Sequence, residues 1–205
     1  MLRRLEIFLK KINLNQTNPY SDFKYIFLNY SMSDVKQHNY RILVLGAPGS
    51  GKSTLTRRLS MSLQTEAIHL DKYYWKPNWV ETESEVWDFK INKLLNKESW
   101  IMDGNYITSL SERIKYATHI VYLDIPWYTS VYRIIMRMIK YRNNIRPDMH
   151  AECKERFNLE FIQFLIWVIK FNFCYKNNII DILSDTKYEA LHNAMSLDKW
   201  EKEHF

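Results

Sequence analysis

Glycine and cysteine are scarce in this chain: four glycines and two cysteines in 205 residues. Cys153 and Cys174 cannot build a disulfide framework, and they have no metal-ligand spacing. Reduced thiols of this kind point to a cytoplasmic protein. The six histidines are scattered, and no four-cysteine pattern follows Tyr141, which excludes a zinc-bearing lid. No Ser-His-Asp or Cys-His arrangement is readable. Helix-turn-helix and zinc-finger patterns are absent too, so no DNA-reading module is visible. Long apolar runs are also missing. The longest candidate, Phe161 to Ile169, contains Gln163 and falls short of the roughly 18 residues that a membrane span needs. It reads as a buried helix. There is no repeat and no low-complexity tract.

What is present is enough apolar content, 46%, to bury a full core, which excludes general disorder. The length suits one α/β domain with an extension. The formal charge is +6. That balance suits phosphate-bearing ligands, would also suit nucleic acid, and is equally met by solvated lysines. Residues 1–38 read as an extension, poorly ordered or forming a short basic amphipathic helix over Met1 to Ile12. Met32 is a candidate alternative start. The domain proper is expected over residues 39–205.

From Tyr40 onward the pattern alternates. Strands are expected at Arg41 to Leu45, Ala67 to Leu70, Trp100 to Met102, Thr118 to Leu123 and Asn178 to Leu183. Helices are expected at Ser53 to Leu63, Glu83 to Lys97, Trp127 to Tyr141, Met149 to Phe173 as one long or broken helix, and from about Lys187 to the end. Continuous apolar strands alternating with helices predict a parallel sheet covered on both faces.

Three of the four glycines fall in one octamer, Gly46-Ala47-Pro48-Gly49-Ser50-Gly51-Lys52-Ser53. It matches G-x-x-x-x-G-K-[ST], and a predicted strand precedes it and a helix follows. Glycines at these positions let successive backbone N–H groups turn inward around phosphate. Lys52 can then reach the β and γ phosphates of ATP, Ser53 can ligate Mg²⁺, and Thr54 joins the loop in binding the nucleotide. The loop predicts nucleotide binding without choosing a reaction. Asp71 is expected at the end of the second strand, where ligand groups collect in an open parallel sheet. It can orient an acceptor hydroxyl, take its proton or hold a Mg²⁺ water; a cap or turn carboxylate is the plainer alternative. Trp75, Pro77, Trp79 and Trp87 can stack on an acceptor or simply pack a small subdomain. The stripe Phe157, Phe161, Phe164, Trp167 and Phe171 has helical spacing and reads as core.

The stretches "LGAPGSGKST", "HLDKYYWKPNW", "WIMDGNY" with Arg113 downstream, "IVYLDIP" and "RPDM…KERFNLEFIQFLIWV" together resemble the DNA topology modulation (FlaR-like) proteins. These belong among the P-loop kinases related to adenylate kinase. The resemblance covers about residues 40 to 190. It implies a nucleoside-monophosphate-kinase-like three-layer sandwich with a five-stranded parallel sheet and a helical lid. It also implies an ATP-dependent phosphotransferase acting on a small-molecule acceptor. Asp103, in Asp103-Gly104, is then expected to support Mg²⁺. Arg113 would face the acceptor, with Asn105 and Tyr106 as further contacts. Arg133 would cover the nucleotide base and Arg137 would reach phosphate. Arg142, Arg146 and Arg156 would belong to the lid. The family name also raises a nucleotide-dependent regulator that contacts DNA. The arginines cluster near the phosphate motif and form no extended stripe, which favours the kinase.

Overall fold

The computed structural model describes residues 39–142, 144, 149, 153, 157–192, 200, 203 and 204. The compact unit runs from Asn39 to Phe205. Its centre is a five-stranded, wholly parallel sheet. In chain order the elements are β1 (Arg41–Gly46), α1 (Lys52–Leu63), β2 (Ala67–His69), α2 (Leu70–Tyr74), β3 (Trp75–Lys76), a 3₁₀ turn (Pro77–Trp79), β4 (Val80–Glu81), α3 (Ser84–Leu95), β5 (Trp100–Asp103), α4 (Ile107–Tyr116), β6 (His119–Leu123), α5 (Trp127–Lys140), α6 (Leu159–Lys170), a π-helical turn (Phe171–Tyr175), α7 (Lys176–Leu183) and β7 (Glu189–Leu191). The sheet order is β2-β5-β1-β6-β7, and β3 and β4 form a separate antiparallel hairpin. Among the described residues no helix is long and apolar enough to cross a membrane.

The strand interiors of β1, β5 and β6 are continuous apolar runs because both faces are covered, with polar residues at the strand ends. Side-chain alternation assigns the faces. In β1, Leu43 and Leu45 join the core cluster that includes Leu70, Trp87, Leu110 and Phe171. Ile42 and Val44 join the opposite cluster with Leu55, Leu59 and Trp200. α5 points Ser130, Ile134 and Met138 inward at helical spacing. α6 starts where Asn158 Oδ1 caps the N–H of Phe161 at 3.0 Å.

Two expectations fail here. Asn178 to Leu183 is helical, not a strand. Its Ile-rich composition favours β structure, but Ile179 and Leu183 are both buried, four residues apart on one face. The fifth strand is instead Glu189–Leu191, inside the stretch expected to begin the last helix. It pairs in parallel with β6, Val121 to Glu189 through Leu123 to Leu191. Three residues without a β-branched side chain carry almost no local strand signal. Of the expected helix Met149 to Phe173, the α-helical part among the described residues is Leu159–Lys170. Residues 1–38 and the lid candidates Arg146 and Arg156 lie outside the described residues.

Candidate active site

The phosphate motif leaves the sheet at the C-terminal end of β1, with strands of opposite chain progression on its two sides, where open α/β sheets form their ligand crevices. Gly49 has φ +79°, and a Cβ there would lie 2.5 Å from the carbonyl oxygen of Ser130. Glycine is therefore required for α5 to pack on the loop. Lys52 Nζ donates to the carbonyl oxygens of Gly46 at 2.9 Å and Ala47 at 3.0 Å, curling over the loop. Arg133 Nη1 donates to the Ser50 carbonyl at 2.8 Å. The Ser50 hydroxyl is buried with no hydrogen-bond partner among the described residues.

Asn105 ties this loop to the next motif. Its Nδ2 donates to the Gly46 carbonyl at 2.9 Å, and its Oδ1 accepts from the Gly46 N–H at 3.2 Å. Gly46 thus has both backbone groups held by one side chain. The sequence offered Asn105 as an acceptor contact; the clamp was invisible, because nothing local pairs residues 59 positions apart.

Strands β2 and β5 place His69 opposite Asp103. The two are buried, and His69 Nδ1 and Asp103 Oδ2 form a hydrogen bond of 2.6 Å. Beyond Asp103 the chain turns at Gly104, where φ is +130° and a Cβ would meet Leu70 Cβ at 2.9 Å. Asp71 does not close β2 as expected but lies two residues past its end. β2 ends at His69, so the carboxylate sits in the first turn of α2. Tyr106 donates its hydroxyl to Asp71 Oδ1 at 2.6 Å. Burial first, and the neighbouring Asp71 charge second, push the Tyr106 phenol far above its ordinary range, so it remains a donor.

Arg113 stands apart from its expected role. It is fully buried and does not line the cavity. Its guanidinium donates to the carbonyls of Gly104 (2.7 Å), Asn105 (2.6 Å) and Tyr106 (2.8 Å). Burial pushes it down to about 9, still charged at neutral pH. It shapes the loop carrying Asn105 and Tyr106 instead of reaching a ligand.

These elements line a half-open cavity of about 1240 Å³, above the roughly 300–1,000 Å³ of ordinary single-ligand pockets. Of the expected site residues, Pro48, Gly49, Gly51, Lys52, Ser53, Thr54, Asp71, Asp103, Arg133 and Arg137 line it. Gly46, Ala47 and Ser50 do not line it, and Trp87 is in the core. Arg142 borders a smaller hollow with Met138, Ile139 and Phe157. Hard oxygen donors, the Ser53 hydroxyl and two carboxylates, share the main cavity and fit Mg²⁺ in kind. Among the described residues no group of three His, Cys, Asp or Glu side chains forms a protein-only metal site.

The cavity also has a wall that pattern reading assigned to the core. Phe161, Phe164, Trp167 and Phe171 of that stripe all border the cavity, with Tyr175, although Phe161 and Phe171 are also buried. Period alone does not distinguish a core face from a cavity face, because both exclude water.

No protein-family model matches the chain, and no curated protein matches it. Solved structures do. Shikimate kinase from Acinetobacter baumannii in complex with shikimate aligns over 79% of this chain and 88% of its own, with 19% identity and a TM-score of 0.50. Deoxyadenosine kinase from M. mycoides with bound dATP aligns over 79% and 97%, with 14% identity and a TM-score of 0.51. At such identities the likeness is one of fold. The parallel five-stranded sheet with helices on both faces and a phosphate-type loop after its first strand is the P-loop kinase fold.

Proposed function

We propose that this protein is an ATP-dependent kinase that passes a phosphoryl group to a small-molecule acceptor. The observation that carries the reading is the convergence of Lys52, Ser53, Asp71 and Asp103 on one cavity roomy enough for two substrates. A loop that only bound nucleotide would need neither the second carboxylate nor the extra space.

Bound at the loop with Mg²⁺, ATP supplies the phosphoryl group. Lys52 exchanges its contacts with Gly46 and Ala47 for phosphate oxygens, and Ser53 and Asp103 hold the metal directly or through water. Arg133 and Arg137, on successive turns of α5, add fixed positive charge over the phosphates. Asp71, oriented by Tyr106 at Oδ1, presents Oδ2 to the acceptor hydroxyl and takes its proton as the acceptor oxygen bonds to the γ-phosphorus and the bond from that phosphorus to the β–γ bridging oxygen breaks, with ADP as the leaving group. Arg113 and Asn105 act indirectly by fixing the loop that positions Tyr106 against Asp71 and β5 against the phosphate loop. The likeness to topology modulation proteins is read as a shared kinase domain, with any effect on DNA arising through metabolite or nucleotide supply.

The test is transfer of label from [γ-³²P]ATP to a panel of sugars, nucleosides, nucleoside monophosphates and other metabolite alcohols. The expected result is label in at least one acceptor, lost in Lys52→Ala. The reading fails if no acceptor is labelled above the Lys52→Ala background.

A further inference from the structure

The cavity has two chemically different halves. Its cationic side chains among the described residues, Lys52, Arg57, Arg133 and Arg137, come from α1 and α5, the helices that flank the phosphate loop. Much of the remaining wall is aromatic, and it carries acidic side chains. One side is the α2–β4 segment with Asp71, Tyr74, Trp75 and Trp79; the other is α6 and its π-helical turn, with Glu160, Phe164, Trp167 and Tyr175. Phe171 packs in the same core cluster as Leu70, Tyr74 and Tyr106, so the π-helical turn lies on the Asp71 side of the sheet.

Several features single out this wall as built for a ligand. Trp79, Trp167 and Tyr175 keep 38%, 39% and 40% of their surface exposed, yet all three face the cavity and not open bulk surface alone. Asn78 and Trp79 hold φ of 59° and 63°, a conformation that costs a non-glycine residue free energy and collects at ligand-binding segments. The π-helical turn at Phe171–Tyr175 interrupts α6–α7 where its rings meet the cavity, and such turns recur at functional sites. The rings also support one another: Trp75 and Trp79 meet edge to face at 5.7 Å, and Phe164 and Trp167 stack at 5.9 Å. Apolar, flat surfaces in one cavity with the carboxylates Asp71 and Glu160 favour a ring and oppose a second anion.

We propose that the acceptor is a flat, ring-bearing alcohol without phosphate or carboxylate, a nucleoside being the type, stacked on Trp79 and Trp167 with its hydroxyl at Asp71. This rests on the kinase reading and narrows its acceptor. It distinguishes this site from one made for nucleoside monophosphates or acidic sugars.

The experiment measures binding without turnover. A non-hydrolysable ATP analogue with Mg²⁺ is titrated first by calorimetry. Thymidine, pyridoxine, their 5′-phosphates and glucose are then titrated into the saturated complex, with tryptophan fluorescence as a second signal. At least one ring alcohol should bind about tenfold or more tightly than its own phosphate ester and than glucose, and quench tryptophan emission. Trp79→Ala and Trp167→Ala should each weaken it by about tenfold, the scale of one lost stacking contact, with analogue affinity unchanged and Trp167→Phe restoring most of the loss. Tighter binding of a phosphate ester, binding of neither ring alcohol, or wild-type affinity in both alanine variants overturns the proposal while the kinase reading stands. Failure of the analogue to bind overturns both, and is seen in the first titration.

Discussion

Tyr106 donates its hydroxyl to Asp71 at 2.6 Å, joining the loop after β5 to the helix after β2 across the floor of the cavity. The contact orients the carboxylate proposed as base. Removing the hydroxyl leaves the carboxylate charged but less constrained. Tyr106→Phe is therefore expected to lower kcat by roughly tenfold, with MgATP affinity nearly unchanged. Steady-state kinetics beside direct titration checks this; an unaltered kcat would remove Tyr106 from the catalytic arrangement.

The same pair gives a pH dependence. The Tyr106 phenol is raised above its ordinary value of 10.0, so above about pH 10 the unfolded chain loses this proton while the folded one keeps it. Stability then falls as pH rises, by about 1.4 kcal/mol per pH unit for this group. In Tyr106→Phe the alkaline slope of urea-derived stability should be shallower by that amount. An identical slope would show that the phenol ionises normally.

Asp71 and Asp103 are expected to matter more for chemistry than for ATP binding. Asp71→Asn and Asp103→Asn keep shape and remove charge. Turnover should drop by roughly 10²-fold or more in at least one of them, with nucleotide affinity altered by less than about tenfold. Wild-type rates in both would mean that the chemistry takes place elsewhere.

His69 and Arg113 are expected to act through structure. His69→Ala leaves the buried Asp103 without its 2.6 Å partner and should cost about 1–3 kcal/mol. Arg113→Ala opens a hole and strands three carbonyl groups, so a loss of about 3 kcal/mol or more is expected. Arg113→Lys should not rescue it, because one ammonium cannot reproduce the fork. Thermal melts decide both. An Arg113→Ala protein with wild-type stability and absent turnover would return Arg113 to a direct role.

Much of the molecule was legible because local chemistry and tertiary role coincide. The octamer around Gly49 and Lys52 needs glycine for reasons that a sequence displays, and the interiors of β1, β5 and β6 are apolar because both sheet faces are buried. Residues whose role depends on distant partners were legible only in part. Arg113 has the composition of a ligand contact, but the fold turns it inward. Asn105 reaches Gly46 only after β5 pairs with β1. Ile179 to Leu183 has β propensity that packing overrides, and Glu189–Leu191 becomes a strand because β6 offers it an edge. Trp167 carries the same helical period whether it faces a core or a cavity.

The central claim is that the Gly46–Ser53 loop binds MgATP through Lys52. Calorimetric titration of MgATP into the wild-type protein and Lys52→Ala, each verified as folded by its cooperative melt, tests it most directly. The account predicts one site in the wild type and affinity at least about tenfold weaker in the variant, from loss of a charged contact to the phosphates. Equal MgATP affinity in the two proteins would contradict it.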